Sequence, residues 1–161
     1  FGAGSCLEKQ EKWYQALHFF NKAIKINTGN AEYWKAAAHA EFKIGNTISS
    51  ISAYEEASLL GPEDKEIWLN WSFIYFEQGE HQKAIEVLLQ GMEEIPDESE
   101  FFYRMTVYLI ESGQFKEALN YLENALILDF KGHEVLFDFF PKIETQKALQ
   151  KIIDQFRLEN P

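Results

Sequence analysis

A period of 34 residues runs through the middle of this chain. Gly45, Gly79 and Gly113 are spaced by it, and so are Trp34, Trp68 and Phe102, each eleven residues before its glycine. Small residues keep the same register at Ala38, Ser72 and Thr106, at Ser50, Ala84 and Ala118, and at Ala57, Gly91 and Ala125. Pro62 and Pro96 close two of the units, and Phe130 takes that place in the third. Such a period means that one supersecondary unit is stacked on copies of itself, because no single copy can bury its own apolar face.

The physics of one unit is readable. Trp68, Trp71, Ser72 and Tyr75 stand at i, i+3, i+4 and i+7, one face of a helix. Gly79 ends that helix, since glycine tolerates the left-handed conformation at a helix terminus. A second helical pattern comes next in Ala84, Ile85, Leu88, Leu89 and Met92, and Pro96 stops it. Asp97 with Glu100 has the form of a capping box for the next helix. The glycine turns the chain, and the alanine five residues later lets the second helix lie close to the first. The pattern predicts helix pairs at 31–44 and 47–60, 65–78 and 81–95, and 99–112 and 115–129, with no β-strand. Trp34, Trp68 and Phe102 are expected to be largely buried between paired helices.

A 34-residue helix–turn–helix unit with these residue types in this order resembles the tetratricopeptide repeat (TPR) family. The match covers three whole repeats, 31–64, 65–98 and 99–132. The unit at 65–98 carries the motif best, in Trp68, Ser72, Tyr75, Gly79, Ala84, Gly91 and Pro96, with Trp71 standing where the family has leucine. The unit at 31–64 departs at Glu41, where a large apolar residue is expected, and Phe42 comes directly after it. The resemblance implies an all-α fold, a right-handed superhelical solenoid of antiparallel helix pairs forming a single domain over 1–161. Residues 1–30 read as a partial repeat: Gly4, Leu7, Ala16, Phe20 and Ala23 fall on the register, giving a truncated first helix and "WYQALHFFNKAIKI" as its second. Residues 133–161 read as a degenerate repeat and cap. "HEVLFDFF" begins a helix that Pro141 breaks early, and "ETQKALQKIIDQFRLEN" forms a capping helix with Ala148, Leu149, Ile152, Ile153 and Phe156 on its apolar face. The truncated end leaves apolar surface near Ala3 and Leu7, expected to be mobile or covered by a second copy in a homo-dimer.

Composition narrows the function. A formal net charge of −11 argues against a nucleic-acid reader and against attraction to anionic membrane. No apolar run approaches the roughly 20 residues that a membrane helix needs. Cys6 is the only cysteine, so no internal disulfide forms; this fits a reducing, cytoplasmic setting. "GAGS" at 2–5 lacks the preceding strand and the Lys-Ser/Thr of a phosphate loop. His18, His39, His81 and His133 with Cys6 show no metal-ligand spacing, and no third group is placed to orient a Cys6–His pair. Glu93 and Glu94 are adjacent, so on a helix they point about 100° apart and belong to a solvated face. No catalytic residue, metal or cofactor is expected.

The surplus is aromatic, 16% of the chain. Beside the packing stripe Trp68, Ser72 and Tyr75 runs a second stripe of Leu69, Phe73 and Phe76, rotated by about 100°. Its counterparts are Lys35, His39 and Phe42 in the unit before and Tyr103, Val107 and Ile110 in the unit after, with Phe137 continuing the row. In the TPR family the first helices line a concave groove, so the resemblance implies that these ten residues face it. The competing reading is that the stripe is packing between neighbouring first helices. Lys35, Asn70 and Arg104 do not reproduce the clamp with which some TPR modules hold a terminal carboxylate, so a peptide or helix with apolar anchors is the expected ligand. The expected function is a non-catalytic protein–protein interaction scaffold with a neutral or basic protein partner. The alternative is a structural segment of a longer solenoid, whose binding site lies in missing repeats or which mediates self-association.

Overall fold

The computed structural model describes residues 2–161, with side chains from Lys9 onward. In chain order the helices are α1 (Gly2–Ile26), α2 (Ala31–Lys43), α3 (Thr47–Leu60), α4 (Lys65–Glu77), α5 (His81–Glu94), α6 (Ser99–Glu111), α7 (Phe115–Leu128), α8 (Val135–Phe139) and α9 (Ile143–Glu159). A 3-10 turn, Phe130–Glu134, precedes α8, and there is no strand among the described residues. The six helices from α2 to α7 begin where the period puts them and end within a residue of it. Contacts divide the chain into two compact units, Phe1–Ile74 and Tyr75–Pro161, with the boundary inside α4.

The punctuation of the helices obeys the period. Asn30, Asp64 and Glu98, 34 residues apart, each accept a hydrogen bond from the backbone N–H two residues on, at 2.9, 3.1 and 3.4 Å. These satisfy donors that the first turn of a helix leaves open. Glu98 therefore caps α6, which corrects the expected Asp97–Glu100 box; Asp97 instead takes a left-handed conformation in the turn, φ 62°. At the other ends, Gly45, Gly79 and Gly113 have φ of 90°, 78° and 81°. The amide after each reaches back five residues, Asn46 to Glu41, Glu80 to Tyr75 and Gln114 to Leu109, closing a Schellman turn. A Cβ on these glycines would meet nothing within 4 Å, so backbone handedness and not space selects glycine there.

The same rule explains where the expected first repeat fails. The position 34 before Gly45 is Glu11, and no glycine is there to reverse the chain. α1 consequently runs unbroken for 25 residues, correcting the expected truncated helix pair. The side-chain expectations at Ala3, Gly4, Cys6 and Leu7, with the homo-dimer contact, lie outside the described residues.

In the first unit α1 packs on α2 through Leu17, Ile24, Ala37 and Ala40, with Trp13, Phe20 and Trp34 closing around them. α2 packs on α3, where Ala38 and Ser50 are both fully buried and the Ser50 hydroxyl donates to the Ala38 carbonyl at 2.7 Å. The small side chains permit the close approach, and the hydroxyl finds its acceptor on the facing helix. The Trp34 indole N–H donates to the Thr28 carbonyl and that of Trp68 to the Pro62 carbonyl, each at 2.9 Å and six residues back. Each bond ties a helix to the turn that leads into it. Trp68 is buried as expected, but Trp34 is only half-buried, because it edges an open cleft with Ile24 and Ile48.

In the second unit α6 packs on both α5 and α7. Phe101, Met105, Tyr108 and Leu109 of α6 and Leu122, Ala125 and Leu126 of α7 are buried. Phe102 is half-buried rather than enclosed, its ring 5.9 Å from that of Tyr121. Gly132 stands where a fourth cap would fall, 34 residues after Glu98, and has no side chain to supply one. Only the 3-10 turn and the five-residue α8 form before Pro141. α9 buries Leu149 and Ile153, and its Gln146 amide donates to the Phe140 carbonyl at 2.8 Å. The Phe156 ring stacks on Phe130, which the Arg157 guanidinium also covers at 4.7 Å.

Candidate functional site

Four of the ten expected groove residues come together in the first unit. Lys35, His39 and Phe42 project from α2 on successive turns, and Phe73 projects from α4. They line two abutting cavities. One, of about 320 Å³, is bounded by Glu32, Lys35, Ala36, His39, Tyr54, Glu66 and Asn70. The other, of about 190 Å³, is bounded by His39, Phe42, Lys43, Tyr54, Asn70, Phe73 and Ile74. His39, Tyr54 and Asn70 belong to both, so they form one cleft with a charged end and an apolar end.

The charged end is organised by Lys35. Its Nζ donates to Asp64 Oδ2 at 2.8 Å and lies 2.9 Å from Glu66 Oε2. Burial alone would favour the neutral amine, but hydrogen bonds to Asp64 and Glu66 and their negative charges outweigh it and hold the ammonium above the ordinary lysine range. Asp64 uses its other oxygen to cap α4, so one carboxylate serves both the helix start and the ion pair.

The middle of the cleft is polar, with Tyr54 buried beneath the exposed side chains of His39 and Asn70. Tyr54 rises from α3 with 1% of its surface exposed. Burial pushes its hydroxyl up to about 12, against the opposing effects of a hydrogen bond with the Asn70 side chain and of the Lys35 charge. His39 has its ring edge-on to Trp13 at 5.1 Å. Burial, with Lys43 beside it, pushes the His39 imidazole below its ordinary value, so the ring presents a neutral face at neutral pH.

The other six expected residues do not join this cleft. Leu69 is 5% exposed, Tyr103 2% and Val107 1%, so they are core side chains, which corrects the expectation that they present a binding surface. Tyr103 also spends its hydroxyl internally, donating to the Asp129 carbonyl, and burial with the nearby Asp129 charge holds its proton on. Phe76 is half-buried and stacked on Tyr108 at 4.9 Å. Ile110 borders a separate cavity of about 280 Å³ with Phe115, Leu119, Leu122, Ala148 and Ile152. Phe137 is half-buried, edge-on to His133 at 6.3 Å. Among the described residues no group of His, Cys, Asp and Glu could hold a metal ion, and no helix is long and apolar enough to cross a membrane.

Residues 65–98 match the family model described as tetratricopeptide repeat. Among solved structures, that of MamA superposes with a TM-score of 0.65 at 23% identity, over 76% of this chain and 67% of that one. That of YrrB, described as a TPR protein with an unusual peptide-binding site, superposes with a TM-score of 0.61 at 16% identity, over 96% and 82%. The fold is a tetratricopeptide-repeat solenoid. A curated relative, the tetratricopeptide repeat-containing protein trd-1 of Caenorhabditis elegans, is 20% identical over 80% of this chain. The general transcriptional corepressor trfA of Dictyostelium discoideum is 25% identical over 48% of it. The chain spans only 17% and 6% of the length of these two relatives.

Within this TPR fold the cleft draws on positions outside the second stripe. Tyr54 occupies a second helix, where the 34-residue register puts Leu88 and Leu122 in the other units; a hydroxyl at a leucine position was the available signal. Asn70, on the first helix of its repeat, stands one place past the stripe residue Leu69 and reaches Tyr54.

Proposed function

We propose that this chain is a non-catalytic protein–protein interaction scaffold, and that its first unit binds an extended peptide segment in the α2–α4 cleft. The observation that carries this reading is the pair of abutting cavities with Tyr54 and Asn70 at their junction. Phe42, Phe73 and Ile74 offer an apolar side chain a place at one end. Polar groups at the junction suit a peptide backbone, whose N–H and C=O groups must be satisfied once desolvated. The likeness to a TPR protein with a described peptide-binding site supports the reading at the level of fold. The net charge of −11 disfavours nucleic acid as the partner.

The test is a titration of the isotope-labelled chain with an array of end-blocked peptides carrying Phe or Leu anchors. Binding should shift the amides of His39, Asn70 and Phe73, and Phe73→Ala should weaken it by about 1–3 kcal/mol. Shifts confined to the second unit would move peptide binding away from the cleft, and no shift at any concentration would leave the chain a structural segment.

A further inference from the structure

We propose that the cleft selects its peptide by charge, taking a lysine or arginine side chain beside Glu32 and Glu66 while an apolar side chain sits by Phe42 and Phe73. The inference rests on the peptide-binding reading and names the chemistry of the segment that fits it. Three carboxylates stand at the charged end, Glu32, Asp64 and Glu66, around the ammonium of Lys35. Lys35 is committed to its own chain, bonded to Asp64 at 2.8 Å and to Glu66 at 2.9 Å. Asp64 is committed as well, between Lys35 and the Glu66 amide. A ligand carboxylate reaching for Lys35 would have to displace two resident acids and then lie among three negative charges. A cation meets the opposite situation. The Glu66 side chain is 63% exposed and Glu32 is exposed on the first turn of α2, so both face solvent where a guanidinium or ammonium can approach. Arginine fits best, since its planar fork can serve two carboxylates at once. The other end carries the reverse charge, Lys43 beside the neutral His39, so the cleft is polarised along its length. That polarity gives the bound segment a direction.

The experiment uses the whole chain and end-blocked dodecapeptides that share one apolar core and differ only in flanking residues, Arg, Gln or Glu, with binding read by fluorescence anisotropy at low and high salt. The Arg peptide should bind about threefold to tenfold more tightly than the Gln peptide, and the Glu peptide more weakly still, with the spread collapsing at high salt. Glu32→Gln should remove part of the preference without altering the fold, since that side chain is exposed. Glu66→Gln should remove more, and it should also relieve the rejection of the Glu peptide by releasing Lys35 from one of its acids. Melting curves on both variants show whether the fold is intact. Equal affinities for the three peptides overturn the selectivity while leaving peptide binding in place. Failure of all three to bind overturns the peptide reading itself. A preference for Arg that persists in the Glu32→Gln/Glu66→Gln double variant overturns the assignment to these carboxylates.

Discussion

Lys35, His39 and Phe42 in the first unit and Tyr103, Val107 and Ile110 in the second occupy the same three places of the repeat. Their fates differ: the first three border a cleft, while Tyr103 and Val107 are sealed in the core. The difference comes from the chain beyond α7. There the 3-10 turn and α8 fold back against α6, and the Tyr103 hydroxyl donates to the Asp129 carbonyl at their start. A Cβ on Gly132 would come within 3.0 Å of the Tyr103 ring, so the turn lies directly on it. The repeat register fixes the azimuth of a side chain on its helix. Exposure is decided by the segment that comes next, and here that segment is irregular.

The comparison breaks most visibly at its buried end. Tyr103→Ala should cost about 3–5 kcal/mol in urea unfolding, by loss of a buried ring and its hydroxyl bond. Its register partner tolerates more: Lys35→Met keeps the aliphatic stem but leaves Asp64 and the exposed Glu66 without their cation, and should cost about 1–2 kcal/mol. Comparable losses for the two would mean that the cleft is core after all. Phe76→Ala is the next test, since that ring is half-buried and stacked on Tyr108. It should lower stability by about 2 kcal/mol and leave peptide affinity within about 0.5 kcal/mol. A selective loss of binding would extend the site beyond the first unit. The smallest effect concerns His39, whose folded value lies below its unfolded one. The neutral ring then contributes stability that is fully present above the ordinary value of 6.5 and is lost as pH falls through the depressed folded value. An NMR titration should place its midpoint below the ordinary value of 6.5; a midpoint above that value would contradict the cause assigned.

The parts of the fold that can be read in the sequence are those that repeat. Glycines that reverse the chain and prolines that bar helix propagation place α2 to α7, because each acts through its own backbone and needs no tertiary context. The features that escape such a reading are set by absences and by distant partners. Glu11, where a glycine would have turned the chain, lets α1 continue, and the apolar stripe alone carries no sign of it. Glu98 rather than Asp97 caps α6, a competition between neighbouring acids that only the turn geometry decides. The second stripe does lie on the first helices, yet whether it lines a cleft or a core depends on the 3-10 turn beyond α7. Tyr54 and Asn70 are invisible as a pair, since nothing local links residues on α3 and α4.

The indoles have a further consequence. Trp13, Trp34, Trp68 and Trp71 are all four tryptophans of the chain, and every one lies before the boundary at Ile74. The first unit is thus intrinsically luminescent, whereas the second carries only tyrosine and phenylalanine. Tryptophan emission tracked through a denaturant titration is a private signal of the first unit, while far-ultraviolet ellipticity sums over all the helices. Superimposed curves would describe one cooperative melting event for the whole chain. An emission midpoint displaced from the ellipticity midpoint would describe two, without any label being attached.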